Sequence, residues 1–220
     1  MADDLELGAF PGLTPTDREN LAGGDENFTP HSWADLKEII AANNLAILKR
    51  KPSDLRRYIK WTNQTKTTYG SITAFILSER LHWETLPALS GGSPSFQCNS
   101  TVPFTDISDY KILLNDWPYG FTPDVTHIVV WSKVRMQEQK PEGYLTPESV
   151  ALVERFVQRT FVEPLSSKED VAGDFDTRND RVLWFRNWTG LQSVRGLEHV
   201  HVLVRDAPRN LLDRWVGDRP

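Results

Sequence analysis

The chain has 220 residues, 39% hydrophobic and 25% charged, enough to bury one substantial core or two small ones. A formal net charge of −5 without a long basic block argues against a nucleic-acid binder held by counterion release, and no apolar run approaches the roughly 20 residues of a membrane span. The start Met1-Ala-Asp-Asp lacks the basic flank and apolar centre of a signal peptide, and the single cysteine, Cys98, allows no internal disulfide, so a cytoplasmic location with neither membrane nor nucleic-acid partner is expected.

Residues 1–31 carry Asp3, Asp4, Glu6, Asp17, Glu19, Asp25 and Glu26 among glycines and prolines and read as a disordered acidic tail. At Ser32 the pattern changes. Trp33, Leu36, Ile39 and Ile40 recur at helical spacing behind Ser32 as N-cap, with Asp35 in the first turn, and the run stops near Asn43-Asn44. Pro52 restarts a helix with Leu55, Tyr58, Ile59 and Thr62 along one side. A further segment follows Tyr69-Gly70-Ser71 with Ile72, Phe75, Ile76 and Leu77. Residues 32–86 are thus a helical cap, and residues 87–103, with Ala88-Leu-Ser-Gly-Gly-Ser-Pro-Ser, read as a linker.

Residues 104–220 form the second unit, packed with the cap as one body. Strand-like runs at 110–115 and 126–131 flank a turn holding Pro118, Gly120 and Pro123. Thr146-Pro147-Glu148-Ser149 opens a helix with Thr146 as cap and Val150, Val153, Phe156 and Val157 facing inward. The polar stretch 166–181 is a loop, and two more strands follow at 182–187 and 199–204. This order predicts an α+β fold: an antiparallel sheet with a backing helix, plus the N-terminal helical layer.

Titratable groups concentrate near the last strand. Positions 199 and 201 share one strand face, so His199, His201 and Leu203 point one way and Val200, Val202 and Val204 fill the core side. Two such imidazoles can serve as nucleophile and proton donor, as metal ligands, or as structural hydrogen-bonders. His127, His199 and His201 converging would hold a divalent metal, the one cofactor this pattern suggests, with Glu198 facing away. Arg80, Arg186, Arg195 and Arg205 are candidate anion clamps, while Lys49-Arg50-Lys51 and Arg56-Arg57 read as a solvated helix face. Tryptophan is in excess, at 8 residues, and Trp117 and Trp188 fall on loops at strand ends, where a ring can stack on a base or sugar.

Asn187-Trp-Thr-Gly190-Leu-Gln-Ser-Val194, followed by Leu197-Glu-His-Val-His-Val-Leu-Val-Arg205, resembles the signature of the histidine-triad superfamily of nucleotide hydrolases and transferases. Leu113-Leu-Asn-Asp-Trp-Pro118 with Asp124-Val-Thr-His127-Ile-Val-Val-Trp-Ser-Lys133 is similar to that superfamily's first hairpin, so the resemblance covers residues 107–206. It implies a histidine-triad-like fold in which His199 attacks an α-phosphate and His201 stands near the leaving-group oxygens. It also implies that Gln192 and Ser193 hold phosphate oxygens, that Asn115 contacts ribose, and that Asn187 belongs to the turn before that loop. Three features depart from the pattern: Leu197 replaces the first histidine, Val204 replaces a proline, and the loop holds one extra residue around Arg195-Gly196. The orientation of His199 must then come from elsewhere, such as a backbone carbonyl. With Trp61, Tyr69-Gly70-Ser71, Arg80-Leu81-His82-Trp83 and Asn115-Asp-Trp-Pro-Tyr-Gly120, the chain from Trp33 onward also resembles the fungal N-acetylglucosamine-induced protein family, which implies a fungal intracellular protein tied to amino-sugar response, cell-wall metabolism or a specialised pathway.

The expected function is a histidine-triad-like hydrolase or transferase acting on a nucleotide or sugar-nucleotide phosphoester through His199. The alternatives are a metal-dependent enzyme of fungal specialised metabolism using His127, His199 and His201, and a non-catalytic metabolite-binding regulator. The partner in each is a small molecule, and a homodimer is compatible with all three.

Overall fold

The computed structural model describes residues 13, 15–87, 93–165 and 180–217. Helices α1 (Pro15–Ala22), α2 (Trp33–Ala41), α3 (Pro52–Tyr69) and α4 (Ile72–Phe75) come first, the last running on as a π-helical stretch, Ile76–Leu81. Strands β1 (Tyr110–Leu114) and β2 (Val125–Ser132) precede a small hairpin, β3 (Glu138–Gln139) and β4 (Tyr144–Leu145). Helix α5 (Pro147–Val157) continues through Gln158–Val162 to α6 (Glu163–Leu165), and β5 (Val182–Phe185), β6 (Glu198–Arg205) and α7 (Arg209–Val216) complete the chain.

Local chemistry sets these boundaries. The Ser32 hydroxyl accepts the Asp35 N–H, and the Asp35 carboxylate accepts Ser32 N–H at 2.8 Å, a reciprocal capping box that starts α2. Thr146 caps α5 from Ser149 N–H, with Pro147 at the first helical position, where its missing N–H costs nothing. Helix α3 starts at Pro52 and stops at Gly70, whose φ of 78° is the left-handed conformation that glycine tolerates.

The four-stranded sheet has the order β1-β2-β6-β5 and is antiparallel throughout. On one face Val200, Val202 and Val204 of β6 pack with Ile128 and Val130 of β2 against Val153, Phe156 and Val157 of α5. Trp215 of α7 joins them and donates its indole N–H to the Thr160 carbonyl at 2.8 Å. On the other face Phe185 and Leu203 meet Trp33, Leu36 and Ile39 of α2, while Val129 and Trp131 meet Ile72, Ile76 and Leu81. The sheet lies between two helical layers, a mixed α/β arrangement. Each buried aliphatic side chain contributes about 1.5–3 kcal/mol, so the N-terminal layer is held mainly by apolar area.

Two expectations change. The acidic tail lies outside the described residues over 1–12 and 14, but residues 15–31 are folded rather than disordered. Leu21 of α1 is buried with Leu55 and Ile59 of α3, and Asp25 takes up the start of α3, accepting Ser53 N–H at 2.9 Å and Ser53 Oγ–H at 2.7 Å. With Lys51 at 3.0 Å, these donors hold the Asp25 carboxyl down to about 2, so its charge anchors the segment. The linker lies outside the described residues over 88–92, but its second half is fixed to the sheet. Asn99 and Ser100 N–H groups donate to the buried Asp109 carboxylate at 2.9 and 2.8 Å, and Phe96 packs on Trp83 at 5.4 Å. Of the predicted loop 166–181, residues 166–179 also lie outside the described residues.

The β1–β2 connection is tied to the helical layer. Gly120 donates to the Lys49 carbonyl at 2.8 Å and accepts His31 N–H at 2.9 Å, and a Cβ at position 120 would stand 2.2 Å from the Phe28 ring, so a larger residue there would displace that ring. Leu36 is fully buried at the junction of α2 and the sheet. Leu36→Ala is expected to cost about 2–5 kcal/mol in urea unfolding, through a single transition in which layer and sheet are lost together.

Candidate functional site

Strand register brings the histidines together. Pairing sets His127 opposite Leu203, Val129 opposite His201 and Trp131 opposite His199, all on the face under the helical layer. His127 and His201 are therefore diagonal neighbours across the ladder, and His127 Nε2 lies 3.0 Å from His201 Nδ1. Asn115, just after β1, accepts Trp117 N–H on its amide oxygen at 2.9 Å, which turns its amide nitrogen toward His127 at 3.2 Å from Nε2. The Asn187 amide nitrogen stands 3.5 Å from His201 Nε2.

His199 is oriented differently. Its Nδ1 lies 2.9 Å from the Leu197 carbonyl oxygen. A carbonyl only accepts, so Nδ1 carries the proton and Nε2 keeps its lone pair. The main chain at 197 thus supplies the orientation that the Leu197 side chain cannot. Trp131 packs against the His199 ring at 4.6 Å, and Phe185 stacks on His201 at 4.7 Å.

Burial drives all three rings toward the neutral form. It pushes His127 down to about 3, with the charge of Arg50 acting in the same direction. His201 lies well below the usual range through burial, then through His127, His199 and Arg50. His199 is lowered by burial, against the opposing pull of the Leu197 carbonyl and Glu198.

A cavity of about 600 Å³ opens between this face and the helical layer. Asn115, Trp117, Asn187, Gln192, Ser193, Arg195, His199 and His201 all line it, whereas His127 lies behind His201. Gln192 spends its amide N–H on the Asn187 carbonyl at 2.8 Å. Trp188 is not brought to the cavity: its ring packs 6.1 Å from Tyr144 of the hairpin and against the α2 cluster. Among the arginines, Arg80 and Arg195 line the cavity, while Arg186 pairs with Glu198 at 2.8 Å and with Glu138, and Arg205 with Asp180 at 3.1 Å. Among the described residues no three His, Cys, Asp or Glu side chains are grouped to hold a metal ion. The physical reason at His127, His199 and His201 is that two of the rings meet each other directly and the third is bonded to a carbonyl, so their nitrogens do not converge on a shared point.

The helical layer supplies the wall that sequence reasoning missed, including Tyr58, Trp61, Thr62 and Arg50. Arg50 does not belong to a solvated helix face. It sits just ahead of α3, its guanidinium over Tyr58 at 4.4 Å and Tyr119 at 4.9 Å, with Nε and Nη2 donating to the Trp117 carbonyl at 3.1 and 2.9 Å. Trp117 in turn packs 5.3 Å from Trp61 and 5.5 Å from Tyr58. Nothing in the local pattern separates Arg50 from its lysine neighbours; the tryptophan excess was the only trace of this wall. Three cavity-lining residues each bury a side-chain polar atom without a hydrogen-bond partner among the described residues, Thr62 Oγ1, Arg80 Nε and Asn187 Oδ1.

The fold and site define a mixed α/β protein whose antiparallel sheet presents buried neutral histidines to a cavity roofed by helices. The chain belongs to the family described as "Protein of unknown function (DUF3605)", which matches residues 32–205. It is 30% identical over 201 residues to N-acetylglucosamine-induced protein 1 of Candida albicans, covering 87% of this chain and 75% of that one. It is 30% identical over 173 residues to Uncharacterized protein YPL067C of Saccharomyces cerevisiae, covering 78% and 77%. Among solved structures, the one titled "Crystal Structure of HTC1" matches with a TM-score of 0.58 and 26% identity over 84% of this chain and 95% of that one. The matches establish the family and fungal relatives, and none of these names states a reaction. Among the described residues no helix is long and apolar enough to cross a membrane.

The buried rings make stability acid-sensitive. Their folded pKa values lie below the ordinary histidine value of 6.5, so above about pH 6.5 neither state takes up a proton there. Below it the unfolded chain gains protons that the fold refuses. Each such histidine then removes about 1.4 kcal/mol of stability per pH unit until its folded pKa is reached, near 3 for His127. Urea unfolding at pH 7.5 and 5.5 should show the loss, smaller in His127→Gln.

Proposed function

We propose that the cavity binds a nucleotide or sugar-nucleotide phosphoester and that His199 is the nucleophile of a histidine-triad-like hydrolase or transferase. The observation that carries this reading is the 2.9 Å bond from His199 Nδ1 to the Leu197 carbonyl, which leaves an unprotonated Nε2 on a ring that lines the cavity. Burial keeps that ring neutral at physiological pH, so the lone pair is available without a separate base. Two further features support it. The strands that carry the two histidine-triad-like motifs, β1-β2 and β6, are adjacent in the sheet, and Ser193 and Arg195 share the cavity wall with His199.

In this mechanism Nε2 attacks the α-phosphorus, a P–N bond forms and the P–O bond to the leaving group breaks. The leaving group departs as a phosphate anion or takes its proton from solvent entering the cavity, because His201 and His127 are both neutral and share one N–H across their 3.0 Å contact, which leaves neither a proton to give. Water or an acceptor hydroxyl then displaces His199 from phosphorus, which releases the product and restores the neutral ring. Developing negative charge on the phosphate oxygens is met by Ser193 and the cavity's cationic side chains. Asn115 is committed to His127 and the Trp117 N–H, so it acts here by positioning the histidine pair rather than by holding ribose.

The test is turnover by purified protein of a panel of nucleoside polyphosphates, phosphoramidates and nucleoside diphosphate sugars. His199→Ala should lower turnover at least about a thousandfold with its fold intact by circular dichroism. Turnover unchanged in that variant removes the nucleophile.

A further inference from the structure

Within the cavity wall one cation differs from the rest. Arg80 is paired with Asp116 at 2.8 Å, whereas the ion pairs among the described residues do not include Arg50. Arg50 is half-buried and stays cationic with no carboxylate beside it among the described residues, so its charge is open to an anion from outside the protein. It is also rigid. Tyr58 and Tyr119 flank it at 4.4 and 4.9 Å, and the Trp117 carbonyl takes Nε and Nη2, which leaves Nη1 without a hydrogen-bond partner among the described residues. This fixes a planar charged fork in a residue of a cavity wall rich in aromatic rings, which also holds Trp61 and Trp117.

We propose that Arg50 is the receptor for the ligand's anionic group, and that the cavity therefore selects a phosphate-bearing nucleoside over the neutral nucleoside. The proposal rests on the nucleotide reading of the cavity but is independent of any reaction at His199. The aromatic wall accepts the flat, neutral part of the ligand, and the guanidinium meets the phosphate in charge-assisted bonds. Its seat between two tyrosines makes arginine specific here, because lysine would bring the charge without the planar stack or the fork.

The experiment compares binding of adenosine 5′-monophosphate with adenosine, and of uridine 5′-monophosphate with uridine, by calorimetric titration of the full chain. Wild-type protein should prefer at least one monophosphate to its nucleoside by about tenfold or more. Arg50→Gln should erase that preference with nucleoside affinity little changed, and Arg50→Lys should keep part of it. A structural role alone would weaken both ligands together. An undiminished preference in Arg50→Gln, or a wild-type protein with no preference for either monophosphate, overturns the assignment. Should Arg50→Gln fail to fold, Arg50→Lys decides, a severalfold loss supporting the proposal and an unchanged ratio refuting it. A wild-type protein that shows the Arg50-dependent preference yet turns over no substrate leaves this inference standing and removes only the reaction.

Discussion

Every residue of β6 from Glu198 to Val204 is buried, with α5 against its valines and the N-terminal helices against Leu203 and roofing the cavity over its histidines, and this two-sided burial governs the rest of the molecule. A strand in that position cannot leave polar side chains to water, so each must find a partner inside the protein. Glu198 does so with Arg186, itself only 5% exposed at the side chain, at 2.8 Å, and Arg186 reaches on to Glu138 and the Gly143 carbonyl. One buried charge pair therefore also fastens the β3–β4 hairpin to the sheet. His201 finds His127, and His199 finds the main chain.

The cavity exists because the helical layer touches the sheet along two separate apolar seams. One joins α2 to Leu203 and Phe185, the other joins the Ile72–Leu81 segment to Val129 and Trp131. Between them the wall is built from large rings packed on one another, Tyr58, Trp61 and Trp117, rather than from aliphatic chains that could collapse inward. Stacked rings keep their shape at little entropic cost, since each has few rotatable bonds.

Much of this was legible in the sequence because it rests on local rules. Ser32 with Asp35, and Thr146 with Pro147, name their helices by capping chemistry, and the alternation through residues 199–204 assigned its two faces correctly. What could not be read was distance. The acidic residues at 17–26 look like solvated charge until Asp25 is seen at the start of α3. Arg50 looks like one of three surface cations until the β1–β2 connection brings the Trp117 carbonyl to it across 67 positions of chain. Trp188 failed in the opposite sense: its loop position suggested an open ring, and the hairpin that takes it up consists of two-residue strands too short for periodicity to detect.

The carbonyl that orients His199 belongs to the backbone of residue 197, not to its side chain. Any amino acid placed there offers the same acceptor, so mutation cannot delete this contact by changing the side chain. The side chain at 197 can then serve packing alone, and here it is a leucine, 2% exposed, inside the apolar seam with Ile72 and Ile76. The electronic state of the His199 ring thus depends on main-chain geometry and not on which residue stands at 197.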